Sequence, residues 1–254
     1  MKKKFLLIFA VSICLLAQSA YAETITLSKA TMLIPQGWSV ADEDLKFKKD
    51  STAELNAQGE VISGILNKNT YLRPTGWRSL INDYCFVESS AGFFPRFFHP
   101  LDLRYGVTIP TYGHVRYSGD RLVEFAADGT VLRGVIDHKV TLTLDKNKYG
   151  FVDFKSGTIL AFDQEGHVAH GTLSGDTYLR PVGWQEHSTD KKNAGFLLFK
   201  SGTTIDFNAN GEVISGTLKE ASAWKQADGT PIALPDKKLI HFSSDGAKIE
   251  MPEK

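Results

Sequence analysis

The chain is predicted to be all-β, an elongated array of antiparallel β-meander and hairpin repeats, and three observations carry that prediction. Short stretches alternate apolar and polar residues, as in Thr204-Ile205-Asp206-Phe207, where Ile205 and Phe207 share one face. Tight turns rich in Asn and Gly, such as Asn208-Ala209-Asn210-Gly211, follow these stretches. The same patterns then recur. Thr70-Tyr-Leu-Arg-Pro-Thr-Gly-Trp77 returns as Thr177-Tyr-Leu-Arg-Pro-Val-Gly-Trp184 and, more loosely, as Thr31-Met-Leu-Ile-Pro-Gln-Gly-Trp38, while Gly59–Gly64 is identical to Gly211–Gly216.

Taken in order, residues 1–22 read as a signal peptide. Lys2–Lys4 form a basic start, Phe5–Leu16 is an apolar run, and Ala20-Tyr21-Ala22 supplies a small-x-small cleavage pattern. That run is too short to span ~30 Å of hydrocarbon as a helix, and no second long apolar stretch follows, so no transmembrane segment is expected after cleavage. The product is expected to be periplasmic or secreted. Three of the 29 basic residues and none of the 29 acidic ones fall in the signal, leaving a net charge of −3. Such a balance excludes the basic footprint of a nucleic-acid binder. Only Cys85 survives cleavage, so packing and strand pairing, not a disulfide, must stabilise the fold.

Residues 23–254 are expected to form one β-repeat domain. Its apolar-x-x-x-Gly turns run from Leu55 to Gly59, Phe125 to Gly129, Phe162 to Gly166, Phe207 to Gly211 and Phe242 to Gly246. The first interval is close to two of the later ones. A degenerate copy is therefore expected within residues 78–112, giving about six imperfect units of roughly 35–45 residues and about three strands each. The series opens with a partial unit and closes with a truncated one, Lys238 to Glu250. Val123/Phe125, Leu160/Phe162, Ile205/Phe207 and Ile240/Phe242 point inward, whereas Glu124, Ala161, Asp206 and His241 point outward. Gly64, Gly134, Gly171 and Gly216 hold one place in the following strand, which marks a bulge or a close approach.

Within Gly195–Leu218 three strands are joined by two tight turns, with Lys200-Ser201-Gly202 serving as a hairpin turn like the one at Gly211. Glu212 is expected to be exposed. The Thr-x-Leu-x-Pro-x-Gly-Trp segments are edge strands or strands ending in a turn, because proline removes a ladder donor. Two stretches break the pattern as loop-like excursions, near 91–104 and 221–237. A closed β-propeller is the alternative architecture, because units of ~40 residues and about four strands also suit a blade. Partial terminal copies and uneven spacing favour the open array.

The Phe-x-x-x-Gly-x-Val-x-x-Gly-x-Leu pattern of Phe207–Leu218 and Phe162–Leu173 resembles bacterial β-hairpin repeat families. The likeness is to MORN-type and antitoxin-like repeats and, through the same aromatic-turn-glycine hairpin, to glucan- and choline-binding cell-wall repeats. The resemblance implies a hairpin array with a binding or scaffold role, and it implies no catalytic residue.

Phe93, Phe94, Phe97 and Phe98, with Arg96 among them, are the candidate partner-binding residues, since adjacent aromatic pairs cannot all be buried on one face of a strand. The other reading of this cluster is a satellite core beneath a loop. Trp38, Trp77 and Trp184 recur at one address. They form either a glycan platform, with Arg73 and Arg180 beside them, or caps on the apolar layer between units. His167 and His170 fall where Glu60/Glu212 and Ser63/Ser215 stand in other units, and are read as surface histidines, not zinc ligands. Glu54, Glu124 and Asp206 share an outward slot as an acidic ladder on a solvated face. Catalytic motifs are missing, and neither metal nor cofactor is expected. The expected function is an exported, non-enzymatic repeat protein that binds a macromolecular partner or envelope component. Carbohydrate binding through the tryptophans and a propeller-type hydrolase or lyase are the alternatives.

Overall fold

A computed structural model describes residues 22–39, 45–79, 113–144, 151–189 and 194–252. The leader, Cys85, and Phe93, Phe94, Arg96, Phe97 and Phe98 lie outside the described residues, as does nearly all of the copy expected within 78–112.

The architecture is the predicted open all-β array. Strand β1 (Glu23–Leu27) leads in, and four-stranded units follow. The first holds β2 (Thr31–Leu33), β3 (Leu45–Phe47), β4 (Ser51–Leu55) and β5 (Val61–Ile65). The second holds β6 (Thr70–Leu72), β7 (Val115–Tyr117), β8 (Leu122–Phe125) and β9 (Val131–Val135). The third holds β10 (Val140–Thr143), β11 (Phe151–Phe154), β12 (Ile159–Phe162) and β13 (Val168–Thr172). The fourth holds β14 (Thr177–Leu179), one helical turn, α1 (Trp184–His187), then β15 (Leu197–Phe199), β16 (Thr204–Phe207) and β17 (Val213–Thr217). The fifth holds β18 (Ser222–Lys225), β19 (Pro231–Leu234), β20 (Leu239–Phe242) and β21 (Ile249–Glu250).

Hairpins alternate between two layers. The second hairpin of every unit joins an 11-stranded antiparallel sheet in the order β1-β4-β5-β8-β9-β12-β13-β16-β17-β20-β21, while each first hairpin is a separate two-stranded ribbon against its inner face. The sheet ends at β1 and β21 without closing, which removes the propeller. Three corrections follow from this layering. Units have four strands instead of three. Strand β15 pairs with β14 and not with β16, so Lys200–Gly202 is a corner between layers and not a hairpin turn. Residues 222–234, expected to be loop-like, form the ribbon β18–β19, with Pro231 placed at the start of its strand, where a missing N–H is tolerated. At the long interval, β5 pairs directly with β8 and β6 with β7, so the main sheet passes from the first unit to the second with no strand between them.

One side-chain contact between the layers recurs from unit to unit. A Cβ built on Gly64 would lie 2.7 Å from the Phe47 ring, on Gly134 2.6 Å from Tyr117, on Gly171 2.4 Å from Phe154, and on Gly216 2.8 Å from Phe199. The first four ribbons thus each set an aromatic ring against a bare strand, through its Cδ1–Cε1 edge, and Phe47, Phe154 and Phe199 are fully buried there. Burying such a ring contributes up to ~2–3 kcal/mol. The fixed glycine therefore answers to the ring. The bulge sits beside it, where the registers slip between Glu54 and Leu55 and between Asp206 and Phe207.

Candidate functional site

The prolines sit where predicted, at strands that end in turns. Pro35, Pro74 and Pro181 bridge Val61, Val131 and Val213 in parallel, with the bonds carried by their neighbours: Gln36 N–H donates to the Val61 carbonyl and Val61 N–H to the Ile34 carbonyl. The glycine that follows reaches the turn of the next unit. Gly76 and Gly166 meet so closely that a Cβ on Gly76 would lie 2.5 Å from Gly166 Cα, and both hold positive φ, at 70° and 93°.

The three tryptophans pack half-buried against the core beside these junctions. Trp38 Nε1 donates to the Gly129 carbonyl at 2.9 Å, tying the first unit to the second. Within the fifth unit the fully buried Trp224 donates to the carbonyl of Gly246, the turn glycine equivalent to Gly129, at 2.9 Å. Arg73 lies 4.5 Å from the Trp77 ring centroid and Arg78 4.6 Å, while Arg180 lies 4.0 Å from that of Trp184. The rings cap the apolar layer and carry arginines of the same segments, so their stacking area is shared with protein groups.

The histidines stay apart. His167 takes the slot of Glu60 and Glu212 at the hairpin turn. Its N–H donates to Asp163 Oδ1 and its Nδ1 lies 2.8 Å from Asp163 Oδ2, just as Asn56 and Asn208 bond Glu60 and Glu212. Glu212 is consequently 8% exposed, against expectation, and accepts from Asn208 Nδ2 at 3.0 Å. Partial burial of Asp163 disfavours its charge, but the His167 backbone N–H and ring outweigh that and hold it below the usual carboxylate range. Asp176 is lowered to about 2, chiefly by the Ser201 backbone N–H and then by Lys219. His170 faces the other way, its Nδ1 2.5 Å from Asp206 Oδ1. Among the described residues no group of three or more His, Cys, Asp or Glu side chains is placed to hold a metal ion, and no helix is long and apolar enough to cross a membrane.

The outward slots resolve into two rows across the outer face of the sheet. One row runs Thr24, Glu54, Ser63, Glu124, Arg133, Ala161, His170, Asp206, Ser215, His241, Glu250, one residue from each strand. Glu54, Glu124 and Asp206 therefore share a row, as expected, but not as an adjacent ladder. Ser63 separates the first two and donates to Glu54 Oε2, and Arg133 and His170 stand between the others. The second row lies two residues along each strand. Its longest apolar run is in its middle, where Ile65 pairs with Leu122 and Val135 with Ile159, and after three threonines it is apolar again at Leu239. These four residues floor an open depression of about 570 Å³. Glu124 and Arg133 flank it on one side and Asp120 and Arg121 on another. Leu122 is 49% exposed.

The sequence reading missed this patch. Its signal was available in Leu122 and Ile159, apolar residues directly before the inward Val123 and Leu160, at positions where the fourth unit has Thr204. Comparison of the chain with protein-family models, curated proteins and solved structures found no match in any of the three.

Proposed function

We propose that this chain is an exported, non-enzymatic repeat protein that binds a macromolecular partner through the outer face of its sheet. The observation that carries the reading is the row Ile65, Leu122, Val135, Ile159, four apolar side chains aligned on the solvent face and bordered by both signs of charge. Antiparallel sheets with one solvated face normally keep that face polar. An apolar stripe with a charged rim is the composition of an interaction patch. Export rests on Lys2–Lys4, Phe5–Leu16 and Ala20-Tyr21-Ala22.

The test places a photo-cross-linking amino acid at position 122 or at position 204 in exported protein. Both are outward slots, one inside the apolar row and one outside it. Adducts from 122 and none from 204 are expected. Equal adducts from both positions, or none from 122, would reject the assignment.

A further inference from the structure

The outer face is self-complementary, and we propose that the partner it accepts is a second copy of this chain. The inference rests on the reading of that face as an interaction surface and names its occupant.

The register of the sheet sets the pairing. Four strands, β5, β8, β9 and β12, carry the apolar row, and the centre of the group falls between β8 and β9. A twofold axis laid parallel to the strands above that centre, between two facing sheets, places each strand over its mirror-position strand in the partner. Leu122 then meets the partner's Val135, and Ile65 meets the partner's Ile159. In the neighbouring row Glu124 meets the partner's Arg133, and Ser63 meets the partner's Ala161. The pairings continue outward. Thr52 faces the partner's Thr172, and Glu54 faces the partner's His170. Apolar groups meet apolar groups, small meets small, and the acid meets the base, twice over by symmetry.

A partner of uniform charge would find half of this rim repulsive, because Glu124 and Arg133 are nearest neighbours across β8 and β9. A copy of the same surface finds neither sign unmatched. Facing sheets pack ~10 Å apart. With the axis parallel to the strands the facing strands are aligned at the centre, and the twist of each sheet carries the two faces apart towards the edges, so contact is closest where the apolar residues are. The interface is accordingly small and belongs to the weak, concentration-dependent class.

Sedimentation equilibrium on the exported protein tests the pairing through Glu124→Arg and Arg133→Glu, each alone and mixed. The wild type is expected to show a reversible monomer–dimer equilibrium. Glu124→Arg sets arginine against arginine and Arg133→Glu sets glutamate against glutamate, so each variant alone should dimerise at least roughly tenfold more weakly. In the equimolar mixture every arginine again faces a glutamate, and the dimer should return to within roughly threefold of wild type. That recovery cannot come from repaired folding, since each chain keeps its own like-charged neighbours. A wild type that stays monomeric throughout, or a mixture no tighter than its components, overturns the proposal. Cross-linking from position 122 separates the two levels of the account. An adduct of some other mass with monomeric wild type removes the second copy but keeps the interaction surface, and no adduct removes both.

Discussion

The two halves of the outer face are built on the same backbone and carry different chemistry. From β5 to β12 the second row reads Ile65, Leu122, Val135, Ile159. From β13 to β17 the same slots hold Thr172, Thr204 and Thr217. The inner face shows no such division, because Phe47 on Gly64, Tyr117 on Gly134, Phe154 on Gly171 and Phe199 on Gly216 repeat one contact through four units. Packing between the layers therefore does not require the apolar residues outside. Threonine satisfies the same slots on β13, β16 and β17, with Leu239 beyond them on β20, and the unbroken run of four apolar residues is the feature on which the proposed interaction rests.

The largest expected effect lies behind the patch. Gly134→Val would drive a branched side chain into the Tyr117 ring, where a Cβ alone comes within 2.6 Å. A loss of ~3 kcal/mol or more in denaturant unfolding is expected, because a packed core relaxes little around added atoms. A midpoint equal to wild type would mean that the two layers do not meet as described. Next comes the direct contrast between the halves. Leu122→Asp should weaken self-association by roughly tenfold or more, while Thr204→Asp should leave it within about twofold, and both should unfold within ~0.5 kcal/mol of wild type. Equal effects on association would erase the distinction between apolar and polar halves.

A smaller effect of opposite sign is expected at Tyr117. Its hydroxyl is buried with no hydrogen-bond partner among the described residues, burial pushes its pKa up, and phenylalanine fills the equivalent slot in three other units. Tyr117→Phe should raise stability by up to ~1 kcal/mol, read as a higher denaturant midpoint. A clear loss would show that the hydroxyl is satisfied. The smallest effect concerns acid. Asp163 and Asp176, both beyond the apolar patch in sequence, are held below their ordinary range, Asp176 at about 2. A depressed native pKa contributes stability above the unfolded value and loses it as pH falls through the native one. Between roughly pH 4 and pH 2, amide exchange should therefore quicken first around β13–β17 and later around β5–β9. Uniform loosening of both halves would contradict this order.

Much of the fold was legible in the residues themselves. Alternation in Ile205/Phe207 and its relatives identified the buried face, and the Gly59, Gly129, Gly166, Gly211 and Gly246 turns marked the hairpins that became the main sheet. Layering was not legible. Whether β15 pairs with β14 or with β16 depends on the corner at Lys200–Gly202, whose residues suit either geometry, so strands of two layers were counted as one meander. Pro231 and Pro235 disguised a ribbon as a loop, since proline is compatible with the ends of a strand as well as with irregular chain. Glu212 looked like a surface glutamate because nothing in its own identity announces that Asn208 reaches back to bond it. The patch was hidden for a related reason. An apolar residue next to an inward one reads as part of the core until the register shows that Leu122 and Ile65 stand side by side on the opposite face.

The position of the twofold axis is the most exposed consequence of the account. With Cys85→Ser as background, a spin label at Thr24→Cys reports the β1 edge and one at Glu250→Cys reports the β21 edge. Strands spaced ~4.8 Å apart and an axis between β8 and β9 place the two Thr24 labels of a dimer roughly 35 Å apart and the two Glu250 labels roughly 60 Å apart. Double electron–electron resonance on each labelled protein should therefore give a clearly shorter distance for β1 than for β21. Equal distances, or a shorter one at β21, would place the axis elsewhere and contradict the pairing of Leu122 with Val135 and of Glu124 with Arg133.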